Sequence, residues 1–118
     1  MIGDARAFLD PIYSSGLYLA LGTGELAAGS IDEALRAGDV SGARLGAFEG
    51  ELMKGVEVIR SLIHAFYDPS FNFQEFAERF PDQRAALIDC LVGDVLKDMT
   101  PFSEALAQMT PPLKPLAA

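Results

Sequence analysis

The sequence predicts an all-α fold: five or six helices packed around one long central helix, with an extended N-terminal segment and a proline-rich tail. Three observations predict it. Leu45, Phe48, Leu52, Val56, Ile59, Ile63 and Phe66 recur three and four residues apart, which aligns them on one helix face. Glycines, prolines and short polar cap residues cut the remaining sequence into helix-length pieces. No run of alternating β-branched residues marks a strand. Residues 1–110 read as one helical domain and 111–118 as an extended tail, because Pro111, Pro112 and Pro115 cannot continue a helix.

In chain order, residues 1–13 are expected to be extended or turn, since Pro11 disfavours a helical Asp10. A first helix is predicted from Ser15 to Ala28, apolar nearly all round (Leu17, Tyr18, Leu19, Leu21, Leu26) and ended by Gly29. Ser30 with Glu33 forms a capping box and predicts a separate short helix to Ala37, closed by Gly38. Ser41 caps the central helix, residues 42–66, which Asp68-Pro69 stops. Asn72 caps residues 73–79, and Asp82 caps residues 83–98, whose apolar face is Leu87, Ile88, Leu91, Val95 and Leu96. Thr100-Pro101 opens a final helix over residues 102–109.

At 118 residues the chain is one domain's length, and with half its residues apolar it can bury a small core. A net charge of −8 disfavours nucleic acid and anionic membrane surfaces, both of which need basic patches. With no apolar run near the ~20 residues of a membrane span and no leader pattern, the expected compartment is the cytoplasm. Cys90 is the only cysteine, so no disulfide framework or cysteine metal cluster is expected; beside an apolar helix face it reads as a buried small hydrophobe. His64 is the only histidine, without a second ligand to make it a metal site. Gly22-Thr-Gly24-Glu-Leu-Ala27 matches a dinucleotide-binding pattern, but residues 30–67 are helical in pattern, so the second strand that such a site needs is missing.

The stretch from Gly3 to Ala28 holds the candidate site. Asp4 is a carboxylate in an apolar approach segment, Asp10-Pro11 makes a turn, and Ser14, Ser15 and Gly16 open the first helix. A helix start of this kind presents free N–H groups and the positive end of the macrodipole, which suits an anion or a polarised carbonyl. Each residue also has a plainer role: Asp4 as a solvated charge, Asp10 as an Asx-turn with Pro11, and the serines as simple caps.

Gly3-Asp4-Ala5, Phe8-Leu9-Asp10-Pro11 and Ser14-Ser15-Gly16 resemble, in order, the second flavin-contacting motif of FAD-dependent oxidoreductases, above all the flavin-dependent halogenases and their geranylgeranyl-reductase-like and aromatic-hydroxylase-like relatives. Weaker similarity runs through Phe66-Tyr67-Asp68-Pro69 to about Leu106. The resemblance implies that Asp4 holds a ribityl hydroxyl of FAD. It implies that Asp10 and Pro11 run along the flavin ring, and that the amides of Ser14, Ser15 and Gly16 face the flavin edge or a halide. It implies oxygen-dependent oxidation of halide, or hydroxylation, on an aromatic small-molecule substrate.

Two departures qualify this. The glycine-rich pyrophosphate-binding unit of such enzymes is not in these 118 residues, so the chain is expected to be a C-terminal part, inactive and without tight FAD binding by itself. Tyr13 stands where tryptophan halogenases have a glutamate, which fits a phenol- or pyrrole-type branch better. The alternative is a free-standing helical module that self-associates as a homodimer or binds a separately made N-terminal half. No catalytic residue and no metal site is expected.

Overall fold

The structure is a computed structural model that describes residues 1–9 and 15–114. Among these residues six α-helices and no strand are found: α1 (Ser15–Ala37), α2 (Gly42–Leu45), α3 (Glu49–Tyr67), α4 (Phe73–Arg79), α5 (Arg84–Val92) and α6 (Thr100–Ala107). Short 3-10 turns cover Gly3–Ala5 and Pro81–Gln83. The all-α expectation holds, with α3 as its spine.

The core lies where α3, α4, α5 and α6 meet. Ile59 and Leu62 of α3 pack with Phe76, Leu87, Cys90, Phe102 and Leu106. Phe76 is fully buried and meets Phe102 edge-on, with ring centroids 5.7 Å apart, a favoured aromatic geometry. Asn72 caps α4 as predicted, its Oδ1 accepting from the N–H groups of Gln74 (2.8 Å) and Glu75 (3.1 Å). Cys90 is 1% exposed, and burial pushes its thiol up to about 12.

Four boundaries differ from the sequence reading. The first two helices are one: α1 passes through Gly29 and Ser30 without a break, and the Ser30 capping box is not used. A glycine inside a helix costs only about 1 kcal/mol, which continuous α1 hydrogen bonding offsets. Gly38, at φ +64°, ends α1 as expected, and the Asp39 N–H reaches back to the Ala34 carbonyl (3.0 Å).

The predicted central helix is instead two. Ser41 caps α2 by accepting from the Arg44 N–H (3.3 Å), but at Gly46 the chain leaves helical geometry and restarts at Glu49. Glycines at 42, 46 and 50 weaken this stretch, and a Cβ on Gly46 would sit 3.0 Å from the Gly42 carbonyl oxygen. Within α3 the buried set is Leu52, Val56, Ile59, Leu62 and Ala65, while Phe66 stays 40% exposed.

The predicted 83–98 helix ends at Val92, because Gly93 adopts φ +91°; Val95 still reaches the core, from the loop that follows. The last helix starts two residues early, at Thr100. Thr100 does not cap it; the Asp98 carboxylate accepts the Thr100 N–H (3.0 Å).

Candidate functional site

The start of α1 is fixed from two sides. On one side, Gly93 presses its backbone against Ser15: a Cβ there would meet the Ser15 carbonyl oxygen at 2.7 Å and Ser15 Cα at 3.2 Å. On the other, the N-terminal turn folds back along α1. The Gly3 N–H donates to Thr23 Oγ1 (3.1 Å), and the Thr23 hydroxyl donates to the Ala20 carbonyl (3.1 Å). Gly3, at φ +55°, lies close against Ala20. Thr23 is 1% exposed, so its hydroxyl needs these partners.

This folding-back sets Asp4 beside the first turn of α1. A Cβ on Gly16 would lie 3.3 Å from Asp4 Oδ1, so any larger residue at 16 would crowd the carboxylate. Asp4 itself is exposed while Ser15 is buried. A carboxylate next to a helix N-terminus is electrostatically favoured. It accepts hydrogen bonds and donates none, so it suits a hydroxylated ligand rather than a second anion at the same spot.

Of the sequence-predicted residues, Asp4, Ser15 and Gly16 are brought together. Asp10, Pro11 and Ser14, with Tyr13, lie outside the described residues. Thr23 and Gly93 shape the site without having been singled out for it. Thr23 looks like an ordinary helix interior position in sequence, and only a contact twenty residues away reveals its role.

Nearby charges form two further groups. Arg6 follows the turn and pairs with Glu49 at the start of α3, linking the N-terminal segment to the spine; its Nε is buried without a partner. Tyr18, one turn into α1, donates to Asp94, which pushes the phenol pKa up. Lys97 hydrogen-bonds both Asp94 (2.7 Å) and Asp89 (2.8 Å), which raises its own pKa and draws that of Asp94 down.

Two concavities lie elsewhere. One, of about 330 Å³, opens beside His64 between the end of α3 and α6. A broader one of about 1440 Å³ runs along α3 past Met53, Val58, Lys97 and Thr100. Among the described residues no cluster of three or more His, Cys, Asp or Glu could hold a metal ion. No helix among them is long and apolar enough to cross a membrane.

Over 95 residues, 80% of its length, the chain is 35% identical to the 1H-pyrrole-2-carbonyl-(peptidyl-carrier protein) chlorinase of Pseudomonas fluorescens (strain Pf-5). The chain is similar to a halogenase. The resemblance drawn from residues 3–16 to the flavin-dependent halogenases is borne out at that level. The chain spans about a fifth of the chlorinase, 21% of its length. No family model matches the chain, and no solved structure does.

Proposed function

We propose that these residues form one wall of a flavin site and the helical substrate-side lobe of an FAD-dependent halogenase- or monooxygenase-like oxidoreductase. What supports this most is a single juxtaposition: an exposed carboxylate at Asp4 held against a side-chain-free helix entry at Gly16. The similarity to a chlorinase supports it independently.

The residues fit such a cofactor. Asp4 would accept a hydroxyl of its sugar-alcohol chain, and the missing side chain at Gly16 leaves the backbone open to a flat ring. The first amides of α1 would face the ring's electron-rich edge or a halide. FAD, when bound, supplies the oxygen-dependent redox chemistry. This chain's part is to bind, orient and keep water from the ring face. By analogy with the pyrrole that the chlorinase is named for, an aromatic group of the pyrrole type would lie on the helical side.

The glycine-rich unit that would hold the pyrophosphate is not among these 118 residues, so the chain by itself is inactive and holds FAD weakly. Joining it to the rest of the chlorinase, in place of the segment it matches, tests the reading. The fusion should retain FAD, and Asp4→Ala should release most of it without altering the helical circular dichroism. Unchanged FAD occupancy in Asp4→Ala would refute the assignment. A stoichiometric yellow complex of the unfused chain would refute its predicted incompleteness.

Self-association is the second reading. It is favoured by the large apolar side chains that α1 leaves in solvent, Leu17, Leu21, Ile31 and Leu35.

A further inference from the structure

α1 is apolar on two opposite sides. Leu19, Thr23 and Ala34 are buried against the rest of the domain. On the far side, Leu17 (70% exposed), Leu21 (69%), Ile31 (47%) and Leu35 (66%) stand in solvent, with Ala28 exposed and Gly24 half-exposed between them. Positions 17, 21, 24, 28, 31 and 35 alternate steps of four and three, the spacing of a coiled-coil seam. At 100° per residue they fall within an arc of roughly 80°. An amphipathic surface helix has its polar side here.

The stripe is also symmetric about Leu26. Leu17 and Leu35 are equidistant from it, as are Leu21 and Ile31, and Gly24 and Ala28. Reversing the direction of the helix therefore lays large on large and small on small. That is the self-complementarity a two-fold interface requires, in which the same patch serves both partners. The small central pair lets two helix backbones approach closely at the crossing point, and a Cβ on Gly24 would meet nothing within 4 Å of this chain.

We propose that the occupant of this face is a second copy of the chain, its α1 packed antiparallel across Gly24 and Ala28. The area suffices. With Tyr18 (44% exposed) at its edge the stripe offers roughly 500 Å² per copy, or on the order of 1,000 Å² for the pair, the lower bound of a specific interface. Glu25 flanks the seam and comes near its counterpart at the two-fold axis. Long and exposed, it remains hydrated, so the repulsion is small.

The pairing rests on the self-association reading, and the experiment separates the two. Light scattering from roughly 1 to 300 μM, bracketing micromolar association, should show a shift to twice the chain mass. The double change Leu21→Glu with Ile31→Glu should abolish that shift while leaving helical circular dichroism intact. Mixing single variants Gly24→Cys and Ala28→Cys under mild oxidation should give a mixed disulfide dimer in several-fold excess over self-linked species; buried Cys90 stays unreactive. A monomer throughout, including one that complexes only with a separate flavin-binding half, overturns both pairing and reading. Self-linked species in excess, or a dimer that survives the double glutamate change, overturns the pairing alone.

Discussion

The α3–α6 core and the N-terminal arm along α1 are stabilised in different ways. In the core, apolar rings close on one another: Phe76 at 0% and Phe102 at 1% exposure leave nothing for an outside group to touch. The N-terminal arm is tied down by polar contacts, a Gly3–Thr23 hydrogen bond to α1 and an Arg6–Glu49 pair to α3, while large apolar side chains on the far side of α1 remain in solvent. The first region satisfies itself. The second leaves apolar side chains uncovered, and the proposed flavin wall and the proposed pairing face both lie there.

Changes on either side of this contrast test it. Phe76→Ala should have the largest effect, about 3–5 kcal/mol of stability lost, because it opens a cavity where four helices meet. Against a total of about 5–15 kcal/mol this leaves little folded protein, visible in urea titration. If the loss is under about 1 kcal/mol, the core is not where the stability resides. Gly93→Val comes next. It forces a β-branched residue to φ +91° and into the Ser15 carbonyl, so a loss of about 2–3 kcal/mol is expected in the same titration.

Thr23→Val should be milder, about 1 kcal/mol, since it removes one hydroxyl and its two hydrogen bonds. Its signature is local: hydrogen exchange at the Gly3 amide should rise while α3 and α6 stay protected. Equal loosening of both would mean that the arm and the core unfold as one unit.

The smallest effect concerns acid. Asp68 and Asp98 have lowered pKa values, through hydrogen bonds from Ser70 and Thr100. A carboxyl with a depressed folded-state pKa contributes stability above its unfolded value, near 4, and loses it as pH falls through the folded value. Asp68→Asn and Asp98→Asn should therefore lower the melting temperature slightly at neutral pH, and the gap to the unaltered protein should close as pH falls below about 4.

Much of this was legible in the sequence, and unevenly so. Asn72, Gly38 and Ser41 announce caps and stops by residue type alone, and the structure uses all three. Leu52, Val56 and Ile59 fall on the buried face because helical periodicity leaves few alternatives. The structure departs from the sequence pattern at Ser30 and at Gly93, within the predicted 83–98 helix, for opposite reasons. The Ser30 capping box competes with an uninterrupted helix and loses. Gly93 sits inside an apolar pattern that continues past it, and only the approach of Ser15 explains the break. In the site, Asp4 and Gly16 could be named from their chemistry. Thr23 could not, since a threonine inside a helix gives no sign of the distant amide it holds.

The Gly3–Thr23 hydrogen bond draws two points of the chain together across twenty positions, with Asp4 and Gly16 both inside the ring it closes. The entropy of gathering these two groups is thus spent before any guest arrives, and a molecule bridging them meets a smaller penalty than it would on an open chain. Linkage makes the benefit mutual: the guest should slow the opening of the ring, so the Gly3 amide is a built-in gauge of occupancy.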